Sequence, residues 1–430
     1  MAKKNDSNII AIITMIFLFG MISFVTNLAA PIGNIWKMQP GIEGSNTWGM
    51  MGNMMNFLAY AVMGIPAGSI LKKKGYKFTA LAALLVGLLG VFVQFLSGII
   101  GVGSTLAGIP SNFFVYLFGA FIAGFSMCML NTVVNPMLKI LGGKRSNQYI
   151  QIGGSFNSLM GTLTPMLVGA LIGTLTKDSL ISDVNPMLFL AMGVFAAAFV
   201  VLLFVPIEDP AQTKSDAPAE NPMKYSHFVL GIIAIFLYVG VEVGIPGTLN
   251  FYLSDSTNGA GLDPAFAVKI AGVVAGIYWL LMLAGRLTSS VISGKVSSKA
   301  QLTTVSAVAI LLILVAMFLP SSVAINWNFN VDGAAVPAAI PVSAVLLVLC
   351  GLCTSVMWGT IFDLAVEGLG AATEKASGIF MAMVVGGGII PLLQNFVADK
   401  IGYMPSYWVL VASLCFILYF AVIGSKIKKA

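Results

Sequence analysis

Long unbroken apolar runs govern what this chain can become. Twelve of them, each about 20 residues or more and so able to cross roughly 30 Å of hydrocarbon as a helix, recur along the sequence. They lie near 9–36, 48–71, 78–103, 113–140, 148–175, 186–206, 226–252, 265–293, 302–320, 337–366, 377–399 and 406–425. With 58% hydrophobic and 9% charged residues over 430 positions, the chain has too few charges to coat a water-soluble surface. The mean hydropathy of +0.96 agrees. The expected fold is an all-α membrane protein with twelve transmembrane helices. The first run, from Ile9 to Pro31, is too long for a signal-peptide core and is kept as a span. Cys128, Cys350, Cys353 and Cys415 all fall inside apolar runs and read as small buried hydrophobes; Cys350 and Cys353 form a C-x-x-C within a span, away from any βαβ pattern, and neither a disulfide framework nor a redox role follows.

One connector is both long and polar: PIEDPAQTKSDAPAENPMKYSH, at 206–227, has the composition of an unstructured linker. It divides the chain into an N-terminal six-helix bundle (1–206), a cytoplasmic linker (207–225) and a C-terminal six-helix bundle (226–430). Orientation follows from basic residues, which concentrate on the cytoplasmic side. With a cytoplasmic N-terminus, eighteen of the 22 Lys and Arg fall on the inner side; only Lys37, Lys177, Lys269 and Lys400 fall at outer ends. Both termini are therefore expected in the cytoplasm of a cell with the protein in its inner membrane. The same distribution explains the net charge of +6 without any nucleic-acid partner.

The two halves echo each other. The polar turn ILGGKRSNQ leading to Pro165 recurs as GLGAATEKASG leading to Pro391, and GIPAGSILKKKGYK pairs with GRLTSSVISGKVSSK. A six-plus-six pattern with such echoes points to two pseudo-symmetric bundles around a midplane cavity, the major facilitator architecture. Within that superfamily the chain resembles the fucose/proton and glucose/galactose symporter family. The blocks that carry the resemblance are FLFGMISFVTNLAAPI in the first span, GIPAGSILKKKGYK after the second, LNTVVNP in the fourth, GGSFNSLMG in the fifth, FLYVGVEVGIPGTLNFYL in the seventh, and GTIFDLAVEGLG with VVGGGIIP near the end. They keep the family order across nearly the whole chain. The resemblance implies alternating access around a sugar-binding cavity and, in characterised members, proton coupling.

Three positions depart from the fucose-carrier pattern. Ala30 and Asn131 stand where those carriers have carboxylates, and Gly154 stands where a glutamine precedes Phe-Asn-Ser. Neither alanine nor a neutral amide carries a proton at physiological pH. Glu242, in the seventh span, is the one carboxylate well inside the bilayer. At about 2.5–3.5 kcal/mol for an acid near a helix centre, it requires a partner, a proton or a cavity. It reads either as the group that couples transport to a proton or sodium, or as a structural glutamate bracing the seventh helix. Arg286 in the inner third of the eighth span and Asp363 at the inner end of the tenth are candidates for an inner gate.

A neutral sugar needs donors, acceptors and an aromatic face. Asn27, Asn131, Asn135, Gln151, Asn157, Asn250, Trp279, Gln394 and Asn395 are the candidate sugar ligands. For each asparagine the competing role is helix–helix hydrogen bonding, and for Trp279 it is packing. Pro136 is expected to bend the fourth span, and GGGIIP at 386–391 to interrupt the eleventh. The function these features imply is secondary transport of a hexose or hexose derivative, coupled to proton or sodium through Glu242. The alternatives are an uncoupled sugar uniporter and an exporter of small apolar compounds. No cofactor, metal or covalent reaction is expected, and the working unit is expected to be a monomer in the lipid bilayer.

Overall fold

The computed structural model describes residues 2–142, 146–172, 179–205, 207, 221–292, 295–331, 334–369 and 372–427. Most of the linker, Lys177, the centres of both echoed polar turns and the side chain of Gln151 lie outside the described residues.

Eleven helical stretches among the described residues are long and apolar enough to cross a bilayer. One of them, Asn46–Leu96, is 51 residues long and leaves helical backbone at Gly75, with φ 83 and ψ 175. The chain folds back at that point. Asn56 and Gly90, on opposite sides of Gly75, both lie against one short stretch of the next helix, at Gly124 and Ala123 respectively. Twelve crossings result: α1 (Ile9–Trp36), α2 (46–74), α3 (76–96), α4 (Ser111–Gly142), α5 (Ser146–Ile172), α6 (Asn185–Phe204), α7 (Ser226–Ser254), α8 (Ala267–Ile292), α9 (Ser298–Phe318), α10 (Val342–Val366), α11 (Ala376–Ile401) and α12 (Tyr403–Gly424).

The twelve helices form two six-helix bundles with matching internal contacts. α1 packs on α5 as α7 packs on α11, and α3 on α6 as α9 on α12. The bundles meet along α2 with α11 and along α5 with α8, two contacts that exchange of the halves maps onto each other. Lipid tails are as apolar as the side chains, so burial alone cannot hold such helices together; close approach at small residues does. Gly124 lies against the backbone of Asn56, and Gly386 against the backbone of Phe236, positions where a Cβ would not fit. Large apolar side chains face outward instead, among them Phe204 at 82% and Phe318 at 74% exposure.

Four spans are interrupted, α12 among them, which breaks at Tyr407 between Tyr403–Ser406 and Trp408–Tyr419. α1 breaks at Asn27–Leu28, between Ala2–Thr26 and Ala29–Trp36. α10 breaks between Thr354 and Met357, and α11 passes through a 3-10 turn at Met383–Val385 just before its glycines. Pro136, expected to bend the fourth span, lies inside a helix that runs without a break from Ser111 to Gly142. The connector before α10 also differs from a plain loop: Ala324–Val331 and Ala334–Pro341 pair as an antiparallel hairpin, with Phe329, Val331 and Ile340 buried and Trp327 exposed.

Candidate functional site

A small recess opens where the bundles meet. Its walls come from both halves: Thr26, Asn27, Ala30 and Pro31 of α1, Asn53 of α2 and Pro165 of α5 face Val243, Pro246, Gly247 and Asn250 of α7 with Ala275 and Trp279 of α8. No charged side chain lines it.

Backbone chemistry prepares the walls. A proline has no N–H to give to the carbonyl four residues earlier, so Pro31, Pro165 and Pro246 release the carbonyls of Asn27, Gly161 and Glu242 from their usual helical partners. The α1 interruption falls at Asn27 for this reason. Pro391 does the same for Gly387, and the freed oxygen accepts a 2.8 Å hydrogen bond from Nδ2 of Asn53 in the opposite bundle.

Each recess amide has one half committed to protein. Asn27 Nδ2 donates to the Ser23 carbonyl at 2.8 Å and to Ser23 Oγ at 3.2 Å. Asn53 uses its Nδ2 on Gly387, and Asn250 uses its Oδ1 to accept from Asn34 Nδ2 at 2.7 Å. Two acceptor oxygens, on Asn27 and Asn53, and one donor NH₂, on Asn250, are left for whatever enters. Trp279 supplies the flat apolar surface. Its indole is seated against α5 and α1, because a Cβ at Gly161 would stand 2.9 Å from indole Cδ2 and 3.0 Å from Ser23 Oγ.

Among the expected ligands, the recess thus gathers Asn27, Asn250 and Trp279, and adds Asn53. The others sit elsewhere. Asn131 Nδ2 donates to Tyr60 OH and Asn157 Nδ2 to the Phe19 carbonyl, each at 2.8 Å, and Asn135 is half-buried on α4 outside the recess walls. Gln394 and Asn395 are fully buried between α11 and α7, where Asn395 Nδ2 donates to Thr248 Oγ1 at 3.0 Å and Gln394 Oε1 lies beside Gly244. Asn395 joins α11 to α7, and neither side chain is among the recess walls.

One turn from the recess, Glu242 Oε1 lies 3.6 Å from Arg286 Nη2, with 13% and 18% of the two side chains exposed. Arg286 Nη1 also donates at 2.8 Å to the Gly154 carbonyl of α5, across the bundle boundary. Asp363 takes a different partner: its Oδ2 accepts from Ser298 Oγ at 3.0 Å, at an exposed position. The pairing expected between Arg286 and Asp363 is not formed in this conformation, because Glu242 and Gly154 hold the guanidinium.

The chain matches the profile of the Major Facilitator Superfamily over residues 10–391. It is 27% identical to the glucose/galactose transporter of Brucella abortus biovar 1 (strain 9-941), with 99% of this chain and 96% of that one covered. It is 23% identical to the L-fucose-proton symporter of Escherichia coli (strain K12), over 85% and 81% of the two chains. A solved structure of the E. coli fucose:proton symporter superposes with a TM-score of 0.67 at 20% identity, covering 98% of this chain and 100% of that one.

Proposed function

The chain belongs to the Major Facilitator Superfamily, and from that premise we propose that it imports a neutral hexose or hexose derivative by alternating access. The recess is the sugar site. The observation that carries this reading is the half-committed state of three amides on three helices, beside one indole face. A hexose presents hydroxyls that both donate and accept, plus an apolar C–H face, and the wall offers the complement of each. Each net hydrogen bond is worth about 0.5–1.5 kcal/mol and a millimolar affinity needs about 4, so these few groups suffice. The absence of charge on the walls suits a neutral ligand, and the amides argue against an exporter of apolar compounds.

Glu242 is the coupling group in this reading, with Arg286 as its partner. Protonation or sodium binding at the carboxylate frees the guanidinium, which also holds the Gly154 carbonyl of the other bundle. One observation favours an uncoupled uniporter instead: Ala30 and Asn131 replace two acids of the fucose-carrier pattern, leaving Glu242 alone. In this reading the protein works as a monomer in an inner membrane, divided at 207–225 into its two bundles, with both termini cytoplasmic and the Lys37 end outward.

Counterflow in proteoliposomes over hexoses, 6-deoxyhexoses and N-acetylhexosamines tests the substrate. Asn250→Ala and Trp279→Ala should each weaken exchange about tenfold, and exchange indifferent to both would refute the site. Uphill uptake under an imposed proton or sodium gradient tests coupling. Glu242→Gln should retain counterflow and lose uphill uptake; if neither gradient concentrates sugar in the unmodified protein, the uniporter reading stands.

A further inference from the structure

Beyond the recess, a second polar assembly ties the two bundles together at the end marked by Lys37. Lys37, just past α1, is 6% exposed. Its Nζ donates to Asn46 Oδ1 at the start of α2 and, at 3.1 Å, to Tyr403 OH of α12, and it sits 4.6 Å from the centre of the Phe251 ring of α7. Tyr403 OH in turn donates to Asp255 Oδ2 at 2.9 Å, just past α7. Beside this, Asp399 near the end of α11 caps α2. It accepts from the backbone N–H of Asn46 at 2.7 Å and of Thr47 at 2.9 Å, and from the hydroxyls of Ser45 and Thr47.

Apart from the Lys37–Asn46 and Tyr403–Asp255 bonds, which tie the network together within each half, every link named runs from the first half of the chain to the second. At the opposite end, Arg286 of the second half donates to the Gly154 carbonyl of the first. A buried ammonium is costly unless its partners are fixed, so the cluster is built for one relative position of the bundles. Asp399 adds the attraction of a carboxylate for the positive N-terminal end of α2, which only that position allows.

We infer that Lys37, Tyr403, Asp255 and Asp399 form the outer gate of the carrier, with Lys37 and Asp399 as the two residues whose bonds must break for the recess to open outward. The assignment rests on the transport reading above. Opening separates α1 and α2 from α7, α11 and α12; closing rebuilds the α2 cap and reburies the lysine.

Two measurements test it. In lipid nanodiscs, Lys37→Met and Asp399→Asn should each speed amide hydrogen exchange over residues 34–50 by about tenfold or more, with the Arg286 end unchanged. In proteoliposomes, Ser45→Cys with Asp399→Cys, whose parent side chains touch at 2.9 Å, should oxidise to a disulfide. That crosslink should stop counterflow of radiolabelled D-galactose or L-fucose and release it on reduction, while each single cysteine variant is unaffected by oxidant. Unchanged exchange in both variants, or a crosslinked protein that exchanges sugar at the unmodified rate, overturns the gate. An unmodified protein that exchanges neither sugar counts against the transport reading instead, and the nanodisc measurement then decides the gate by itself.

Discussion

Glu242 and Arg286 show how much a single side chain in the bilayer depends on its neighbour. Their 3.6 Å separation and low exposure leave neither charge adequately hydrated, so removing one strands the other. Glu242→Gln and Arg286→Gln should each lower stability by about 2 kcal/mol or more. The double variant should lose less than the sum, a non-additivity measurable by thermal unfolding in detergent. Gly161 is decisive for a different reason. Gly161→Ala would press a methyl group into the Trp279 indole from 2.9 Å, tilting the ring into the recess. The expected result is weaker sugar exchange, read as a raised KM in counterflow, with a stability cost of about 1–3 kcal/mol. The amides and Trp279 could be picked out of the sequence because polar groups in apolar runs are rare. Which of them share a space could not, since Asn395 spends its Nδ2 on Thr248 through a helix contact that no spacing rule specifies.

At the level of elements, prolines matter for the carbonyls they release. Pro136 sits within an unbroken helix, whereas Pro391 hands the Gly387 oxygen to Asn53 across the bundle boundary. Pro391→Ala should restore an N–H that competes for that oxygen and weaken the α2–α11 seam. The change should be close to the roughly 0.6 kcal/mol typical of an interhelical hydrogen bond in a membrane, and should vanish in an Asn53→Ala background when both are compared by thermal unfolding. The hairpin at 324–341 was written plainly in the sequence. Ile325, Trp327, Phe329 and Val331 alternate with Asn326, Asn328 and Asn330 and lead to an Asp-Gly pair, a two-residue period with a turn signal. It was obscured because runs of span length dominate every hydropathy profile of such a chain. The twelve spans themselves were legible for that same reason, except where one helix leads into the next.

For the whole molecule, the gate proposed at the Lys37 cluster implies that the balance between its open and closed forms depends on pH. Burial pushes the Lys37 ammonium from 10.5 down to about 8, against the opposing pull of Asp255 and Asp399. Burial also raises the Asp255 carboxyl, but the N–H groups of Asn258 and Thr257, then Lys37 and Tyr403, outweigh it and leave it below its ordinary value. Once the end opens to water, Lys37 regains its ordinary affinity for protons, so the closed form binds fewer. Closure should therefore strengthen as external pH rises from about 8 toward 10.5 and stay level below that window. Initial rates of counterflow between pH 7 and about 9.5 should fall in the unmodified protein and remain flat in Lys37→Met. No sequence pattern announced this cluster, whose members lie at 37, 46, 255, 399 and 403 and meet only because two bundles do.

The fold-back at Gly75 also bears on a matter of parity. Eleven crossings would leave the two ends of the chain in different compartments, while twelve return the chain to the side from which it set out. Only a glycine holds φ 83 with ψ 175 without strain, so the reversal that makes the count even falls at a residue that turns there freely, and tags placed at the two termini should report the same compartment.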